Sequence, residues 1–192
     1  KIGELAAIAN RMVVVEDGAI AKIGSPADMM QESVQEHPTA GSVRLPAPAA
    51  APPGVPVISV RGLVHNYDGV EAIRGLDLEI APGEIVAVAG DNGSGKTTLV
   101  KHFNGLLRPT EGSVTVDGLD AGSVPIAQLA RHVGLVFQNP DTMLFAETVE
   151  EEVAFGLLNI NPGAPRATGV DAALREVGLL HRKAAYPRSL SR

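Results

Sequence analysis

The order of apolar and polar positions predicts an α/β fold in which strands and helices follow one another. Residues 84–89 contain a short apolar run typical of a buried parallel strand, and residues 97–103 after it can form a helix. Residues 72–80 alternate apolar with polar side chains, as in a strand with one exposed face. Further strands are predicted over residues 11–16, 19–24, 57–65, 113–116 and 133–137. Helices are predicted over residues 4–10, 26–35, 124–132, 148–158 and 170–180, and Thr148 is the predicted N-cap of the fourth.

The first two predicted strands form a hairpin. Asp17 and Gly18 between them are a dipeptide favoured in tight hairpin turns. Ser25, Pro26 and Asp28 then supply an N-cap, a first-turn proline and an acidic first-turn residue for the next helix. A hairpin and one helix have too little core to fold alone. We therefore expect this piece to pack on another part of the chain.

The composition changes sharply between residues 37 and 56, where proline and alanine dominate. Prolines lack amide donors and favour extended backbone, so we predict a semi-stiff linker here. A proline-rich docking ligand is the alternative, although the segment lacks aromatic or basic flanks. The predicted organisation is therefore residues 1–36, a linker over residues 37–56, and a larger domain over residues 57–192.

The overall composition is that of an ordinary globular protein. Of the 192 residues, 45% are hydrophobic and 20% are charged, and this length suits one or two domains. The net charge of −6, without a basic block, argues against nucleic acid as a partner. The lack of cysteine excludes disulfides and thiolate metal sites, and the cytoplasm is the default location. No apolar run approaches the roughly 18 to 20 residues of a membrane-spanning helix.

A phosphate-loop pattern, G-x-x-x-x-G-K-[ST], lies between the strand predicted over residues 84–89 and the helix after it. Glycines there allow positive φ, which turns successive amides toward the α- and β-phosphates of a nucleotide. Lys96 would contact the β- and γ-phosphates, and the Thr97 hydroxyl would ligate Mg²⁺ beside the positive end of the helix. A glycine-rich turn that binds nothing is the alternative. The candidate nucleotide-binding residues are Gly90, Asp91, Asn92, Gly93, Ser94, Gly95, Lys96, Thr97 and Thr98.

Three motifs in order resemble an ATP-binding cassette (ABC) ATPase domain: a hairpin tyrosine, the phosphate loop, and Gln138 after a predicted strand. Residues 136–141, 144–145 and 148–156 are most similar to the energy-coupling factor (ECF) importers of vitamins and metal ions. The resemblance implies a P-loop NTPase fold with a parallel core sheet, an antiparallel β subdomain and part of a helical subdomain. It also implies that Tyr67 stacks on adenine, and that Gln138 contacts Mg²⁺, acts with Lys96 in catalysis, and relays nucleotide state to a membrane subunit. A tyrosine in the core and a glutamine that only caps a loop are the alternatives.

The two ends of the chain predict an incomplete ABC domain in a tandem protein. Residues 9–30 resemble the closing hairpin and helix of a preceding ABC domain, and the chain begins without methionine. Leu190 and Ser191 match the start of the family's LSGGQ signature, and Arg192 stands in place of its first glycine. The Walker B aspartate, catalytic glutamate and switch histidine do not follow. We therefore expect an internal fragment, with a self-contained N-terminal extension as the alternative for its front.

The resemblance implies an ATP-binding subunit that powers an ECF-type importer of a vitamin or metal ion. Its expected cofactors are ATP and Mg²⁺. Its expected partners are a transmembrane coupling subunit and a second ABC ATPase domain, at the cytoplasmic, inner face of the cell membrane. Residues 141–156 are the predicted contact with that membrane subunit, with a solvated helix start as the alternative.

The fragment itself is expected to bind ATP without hydrolysing it, because none of its residues supplies the general base. Three rival functions are a soluble ABC ATPase outside transport, a P-loop kinase or GTPase, and a degenerate nucleotide-sensing module.

Overall fold

The computed structural model describes residues 7–33, 54–160, 163 and 165–190. Several predictions fall outside these residues: the linker over residues 37–53, the ends of the first two predicted helices at residues 4–6 and 34–35, and the signature positions Ser191 and Arg192. The described residues up to His132 form one compact unit, and those from Val133 form a second.

In the first unit, runs of two or three strands are separated by short helices, and helices make up most of the second unit. None of the helices in the described part of the chain is long and apolar enough to cross a membrane. The strands are β1 (Arg11–Glu16), β2 (Ala19–Gly24), β3 (Ile58–Tyr67), β4 (Val70–Ile80), β5 (Val86–Ala89), β6 (Glu111–Val116) and β7 (Leu119–Asp120). The helices are α1 (Pro26–Ser33), α2 (Lys96–Phe103), α3 (Ile126–Leu129), α4 (Val149–Ile160) and α5 (Arg166–Glu176), with 3₁₀ turns at Pro140–Met143, Leu180–Arg182 and Pro187–Ser189.

The first sheet contains β5, the strand that leads into the phosphate loop. In the order β2-β1-β5, β1 pairs antiparallel with β2 and parallel with β5, so that Met12 lies opposite Ala87. These two residues are buried in one apolar cluster with Ala9 and with Met29 of α1. The prediction that the hairpin and helix pack on another part of the chain is therefore confirmed.

An ion pair fixes the start of β1 beside the turn that precedes β5. Nε of Arg11 lies 2.6 Å from Oε1 of Glu84, and Nη2 lies 3.0 Å from Oε2. The same carboxylate accepts a hydrogen bond of 2.9 Å from the Ala81 amide. The hydrogen bond from Nη2 and the close charge contact at Nε together hold the guanidinium at this carboxylate. The residues that follow this ion pair thus enter the β1–β5 ladder in one register.

The second sheet is antiparallel, in the order β4-β3-β6-β7. Its strands bury one face, which explains the alternation of apolar and polar residues in the sequence. This sheet corresponds to the expected antiparallel β subdomain. Its buried apolar side chains are Val60 and Leu63 of β3, Ile73, Leu76 and Leu78 of β4, and Val114 and Val116 of β6.

In the second unit, α4 and α5 pack on each other around Val149, Ala154, Val170 and Leu174. Helix α4 begins with a reciprocal capping box. The Thr148 hydroxyl accepts a hydrogen bond from the Glu151 amide at 3.2 Å, and the Glu151 carboxylate accepts one from the Thr148 amide at 3.1 Å. The predicted N-cap at Thr148 is therefore confirmed.

The predicted buried strand over residues 133–137 is wrong. No described strand pairs with this segment, and Val136 is 79% exposed. An apolar run satisfies the local requirement for a buried strand, but a ladder also needs a neighbouring strand that supplies donors and acceptors. None of the strands in the described part of the chain fills that place.

Three predicted helices also differ. Residues 7–10 contain no helix, and the helix predicted over residues 124–132 is limited to α3. The helix predicted over residues 170–180 is shifted, because α5 ends at Glu176 and Gly178 then adopts a left-handed φ of 72°. Leu179 and Leu180 pack against the same core after that turn, so their apolar spacing imitates a continuing helix.

Candidate functional site

Residues 90–95 form the loop that connects β5 to α2. Gly90, Gly93 and Gly95 have φ values of 139°, 87° and 101°, which side chains with a Cβ rarely adopt. The Ser94 amide donates to the Asp91 carbonyl at 3.1 Å, which closes the loop into a tight curve. The glycine positions of the sequence pattern therefore coincide with the backbone conformations that require glycine.

Lys96 turns its side chain back over this curve. Its Nζ donates to the carbonyls of Gly90 at 2.9 Å and Asp91 at 2.6 Å, and lies 3.4 Å from Oγ of the buried Ser94. The ammonium is therefore held at the loop itself. Phosphate oxygens are acceptors of the same kind as these carbonyls, so they can compete for the same three N–H donors.

The N-terminus of α2 faces the same loop. The Leu99 amide pairs with the Gly95 carbonyl at 2.8 Å, so the amides before Leu99 have no carbonyl within the helix to bond. Amides at this end carry the partial positive charge of the helix dipole. The Thr97 side chain is exposed beside them, while Thr98 is half-buried. This end of the helix suits an anionic ligand.

The β1–β2 turn packs against the phosphate loop and is hydrogen-bonded to it. The Gly18 amide donates to the Ser94 carbonyl at 3.2 Å, and the Gly18 carbonyl accepts from the Arg74 amide at 2.8 Å. A Cβ on Gly90 would lie only 2.0 Å from the Val15 carbonyl oxygen. Sequence reasoning did not connect this hairpin with the phosphate loop, because nothing in the local pattern indicates which distant strand pairs with β5.

Tyr67, the last residue of β3, lies next to the first turn of α2. It is 43% exposed, and its hydroxyl is 3.5 Å from Oγ1 of Thr98. On its other side, its ring meets His65 edge to face, with centroids 4.5 Å apart. The structure thus brings Tyr67 and the phosphate-loop helix together, as a nucleotide site spanning both would require.

His65 and His102 form a buried pair that the sequence analysis missed. The two rings lie edge to face with centroids 4.7 Å apart, and His102 is fully buried. Burial lowers the pKa of His102 from the ordinary value of 6.5; a hydrogen bond to the Thr98 carbonyl opposes that effect, and the neighbouring His65 adds to it. The sequence signal was weak: His65 occupies a position in β3 where the alternation calls for a buried side chain.

Gln138 lies in the second unit, after residues 133–137 and before the 3₁₀ turn at Pro140–Met143, and its side chain is exposed. Its placement differs from the sequence expectation because it does not follow a strand.

Among the described residues, no group of three His, Asp or Glu side chains could hold a metal ion. Mg²⁺ bound with a nucleotide takes few protein ligands and many phosphate and water oxygens, so the exposed Thr97 hydroxyl beside Lys96 fits this mode of binding.

Comparison with known families agrees with this geometry. The sequence profile described as "ABC transporter" matches residues 73–192, which include the phosphate loop, α2 and the second unit. The chain belongs to the ABC transporter family. The expected fold, an ABC-type P-loop NTPase with parallel and antiparallel β-sheets, is confirmed by this match and by solved ABC ATPase structures.

Relatives of this ABC domain include archaeal proteins. A putative ABC transporter ATP-binding protein of Methanosarcina acetivorans is 46% identical over 190 residues, which is 96% of this chain and 36% of that protein. The energy-coupling factor transporter ATP-binding protein EcfA of Methanosphaera stadtmanae is 41% identical over 140 residues, which is 70% of this chain and 50% of that protein. The chain therefore spans about a third to a half of the length of these curated relatives.

Among solved structures, cbiO1 from Clostridium perfringens, part of the ABC transporter complex cbiONQ, superposes with a TM-score of 0.62. It is 35% identical, and the superposition covers 72% of this chain and 57% of cbiO1.

Proposed function

We propose that this chain binds MgATP on the phosphate loop, as part of the ATP-binding subunit of an ECF-type importer that takes up a vitamin or metal ion. The observation that carries the proposal is the position of Lys96. Its ammonium is held over a glycine loop at the N-terminus of α2, in a chain of the ABC family. The similarity to an ECF ATP-binding protein and to cbiO1 supports the transport role.

The loop residues would bind and orient the phosphates. Lys96 would exchange its bonds to the loop carbonyls for bonds to the β- and γ-phosphates, and the amides of residues 95–97 would donate to the same oxygens. Thr97 would hold Mg²⁺, with Gln138 as a second contact. The bound ion would neutralise phosphate charge. Tyr67 would stack on adenine through its exposed ring face.

The membrane partner is proposed to bind residues 141–156. Phe145 and Phe155 are 63% and 54% exposed, and their rings contact each other edge to face with centroids 4.7 Å apart. An exposed aromatic pair is the kind of surface that interfaces use. The neighbouring glutamates have local roles: Glu151 caps α4, and Glu152 accepts from the Phe145 and Ala146 amides at 3.0 and 2.9 Å. The contact is therefore assigned to the aromatic pair rather than to the acidic residues.

The tandem arrangement is also a proposal: residues 1–36 as the tail of one ABC domain, residues 37–56 as the linker, and residues 57–192 as the front of the next. The Methanosarcina relative aligns along 96% of this chain, on both sides of the linker, within a much longer protein. A second ABC domain, in the same chain or in another, would then close around the nucleotide at the inner face of the membrane.

Nucleotide affinity tests the central proposal. ATP binding in Mg²⁺ would be measured by calorimetry for the 192-residue chain, Lys96→Ala and the matched control Lys101→Ala, which removes the same charge from the last turn of α2. Losing the charged contacts of Lys96 should weaken binding about 10- to 100-fold, whereas Lys101→Ala should change it less than about twofold. Equal affinities for wild type and Lys96→Ala would contradict the proposal.

Phosphate release tests the proposal that this chain does not hydrolyse ATP. The 192-residue chain is proposed to bind ATP without turning it over, since we expect none of its residues to supply the general base that activates water. Isolated chain incubated with MgATP should release phosphate no faster than Lys96→Ala. Sustained release that depends on Lys96 would overturn this part and leave ATP binding intact.

A further inference from the structure

Two buried histidines connect the predicted adenine-stacking tyrosine with the helix that follows the phosphate loop. His65 lies on β3 and His102 on α2, and Nε2 of His102 is 3.2 Å from Nδ1 of His65. Only 7% of His65 is exposed, and none of His102. Ionisable side chains rarely occupy such positions without partners, so their hydrogen bonds indicate what the pair does.

The carbonyl partners determine which ring nitrogens carry protons. A carbonyl oxygen only accepts, so Nδ1 of His102, 2.7 Å from the Thr98 oxygen, must be protonated. In the neutral ring, Nε2 of His102 is then an acceptor. Nδ1 of His65 lies 3.0 Å from the Arg108 oxygen and close to that acceptor, so its N–H is shared between the two. The contacts of His102 therefore fit its neutral, Nδ1-protonated form, and those of His65 require a proton on Nδ1.

Tyr67 and Thr98 complete a closed circuit of contacts with the two histidines. The Tyr67 ring packs against His65 at an interplanar angle of 77°, and its hydroxyl reaches Oγ1 of Thr98. The backbone carbonyl of Thr98 in turn accepts the proton of His102. His65, Tyr67, Thr98 and His102 thus link the end of β3 to α2. Replacing either histidine removes the contact between His65 and His102. Of the contacts in this circuit, only the one between the Tyr67 hydroxyl and Thr98 then joins β3 to α2.

We infer that His65 and His102 are positioning residues for the nucleotide base, which fix the Tyr67 ring relative to the phosphate loop. This inference rests on the proposed nucleotide binding. A base stacked on Tyr67 and phosphates held by Lys96 belong to one ligand, so the two contacts add more to affinity when their spacing is fixed before binding. The histidine pair supplies that fixed spacing, because His65 contacts the Tyr67 ring and His102 holds His65 against α2.

The test compares ligands with and without a base. Affinities for MgATP and for inorganic Mg-tripolyphosphate would be measured for wild type, Tyr67→Ala, His65→Phe, His102→Leu and the double variant Tyr67→Ala/His102→Leu. His65→Phe keeps a ring against Tyr67 but removes the nitrogen bonded to His102. Exposed His181→Gln is the matched control. The readout is the ratio of the two affinities, which general loosening of the phosphate loop would leave unchanged.

Tyr67→Ala should lower the preference for ATP over tripolyphosphate about tenfold. Each histidine variant should lower it about threefold, with tripolyphosphate affinity close to wild type. The double variant should match Tyr67→Ala, because the histidine acts through the tyrosine. A histidine variant that does not fold would lose tripolyphosphate binding as well, and the other histidine variant then decides.

Two results would overturn the inference in different ways. If Tyr67→Ala lowers the preference but both histidine variants keep it, the histidines do not position the tyrosine, and the proposed function stands. If wild type binds neither ligand, the proposed function fails, and the inference fails with it.

Discussion

Single glycines of the phosphate loop differ in what surrounds them. Gly90 and Gly93 both have positive φ, but a Cβ on Gly90 would meet the Val15 carbonyl at 2.0 Å, whereas a Cβ on Gly93 would meet nothing within 4 Å. Gly93→Ala should therefore cost about 1 kcal/mol of unfolding free energy, from backbone strain alone. Gly90→Ala should cost about 3 kcal/mol, since a clash with backbone is added. Urea unfolding of the two variants measures the difference. Equal losses of unfolding free energy would show that the close packing of β1 against Gly90 does not matter.

At His102, the lowered pKa makes stability depend on pH. The unfolded chain takes up a proton near the ordinary value of 6.5, while the folded chain takes it up only at lower pH. The free energy of unfolding should therefore fall as pH drops below about 6.5, by at most about 1.4 kcal/mol per pH unit for this group, until the folded pKa is reached. The ionisable groups that face it are His65 on β3 and, beyond that ring, Tyr67.

The check is urea unfolding from pH 7.5 to 5.5. His102→Leu should be less stable than wild type at every pH but should show a smaller slope, while exposed His181→Gln should keep the wild-type slope. Parallel curves for wild type and His102→Leu would argue that His102 is not buried in its neutral form.

Among the elements, α4 depends on its capping box. Thr148 and Glu151 satisfy each other's amides, and the first turn also carries Glu150 and Glu152 near the positive end of the helix dipole. Thr148→Ala should lower the unfolding free energy of the second unit by about 1 kcal/mol, whereas Thr148→Ser keeps the hydroxyl and should cost less than half as much. Circular dichroism during urea unfolding reports both. Identical values for the two variants would count against the cap.

For the whole molecule, the N-terminal hairpin is part of the first unit. It contributes the parallel neighbour of β5, the buried side chains of Met12, Val13 and Val15, and the bond from Gly18 to Ser94. A chain of residues 54–192 should lose hydrogen-exchange protection at the amides of β5 and the phosphate loop. The amides of the β3–β6 ladder should keep more of their protection than those of β5. Unchanged protection of β5 in the shorter chain would contradict the role given to the hairpin.

The predictions from sequence succeeded where the cause is local. The phosphate loop, the Ser25 cap of α1 and the Thr148 cap of α4 each depend on residues within a few positions of one another. They failed where a distant partner decides. Residues 133–137 have the apolar run of a strand, but no described strand lies beside them. The end of α5 was missed for a different reason: Gly178 ends the helix, while Leu179 and Leu180 continue its apolar spacing because they pack on the same core.

The sequence by itself determined the chemistry of the loop, because a glycine's freedom and a lysine's charge belong to the residues and need only a strand before them and a helix after. Only the tertiary structure decided what surrounds that loop. The β1–β2 hairpin behind Gly90 and the His65–His102 pair beneath Tyr67 join residues far apart in the chain. Their contacts depend on strand order and on burial, which arise when the whole first unit packs and which no local pattern encodes.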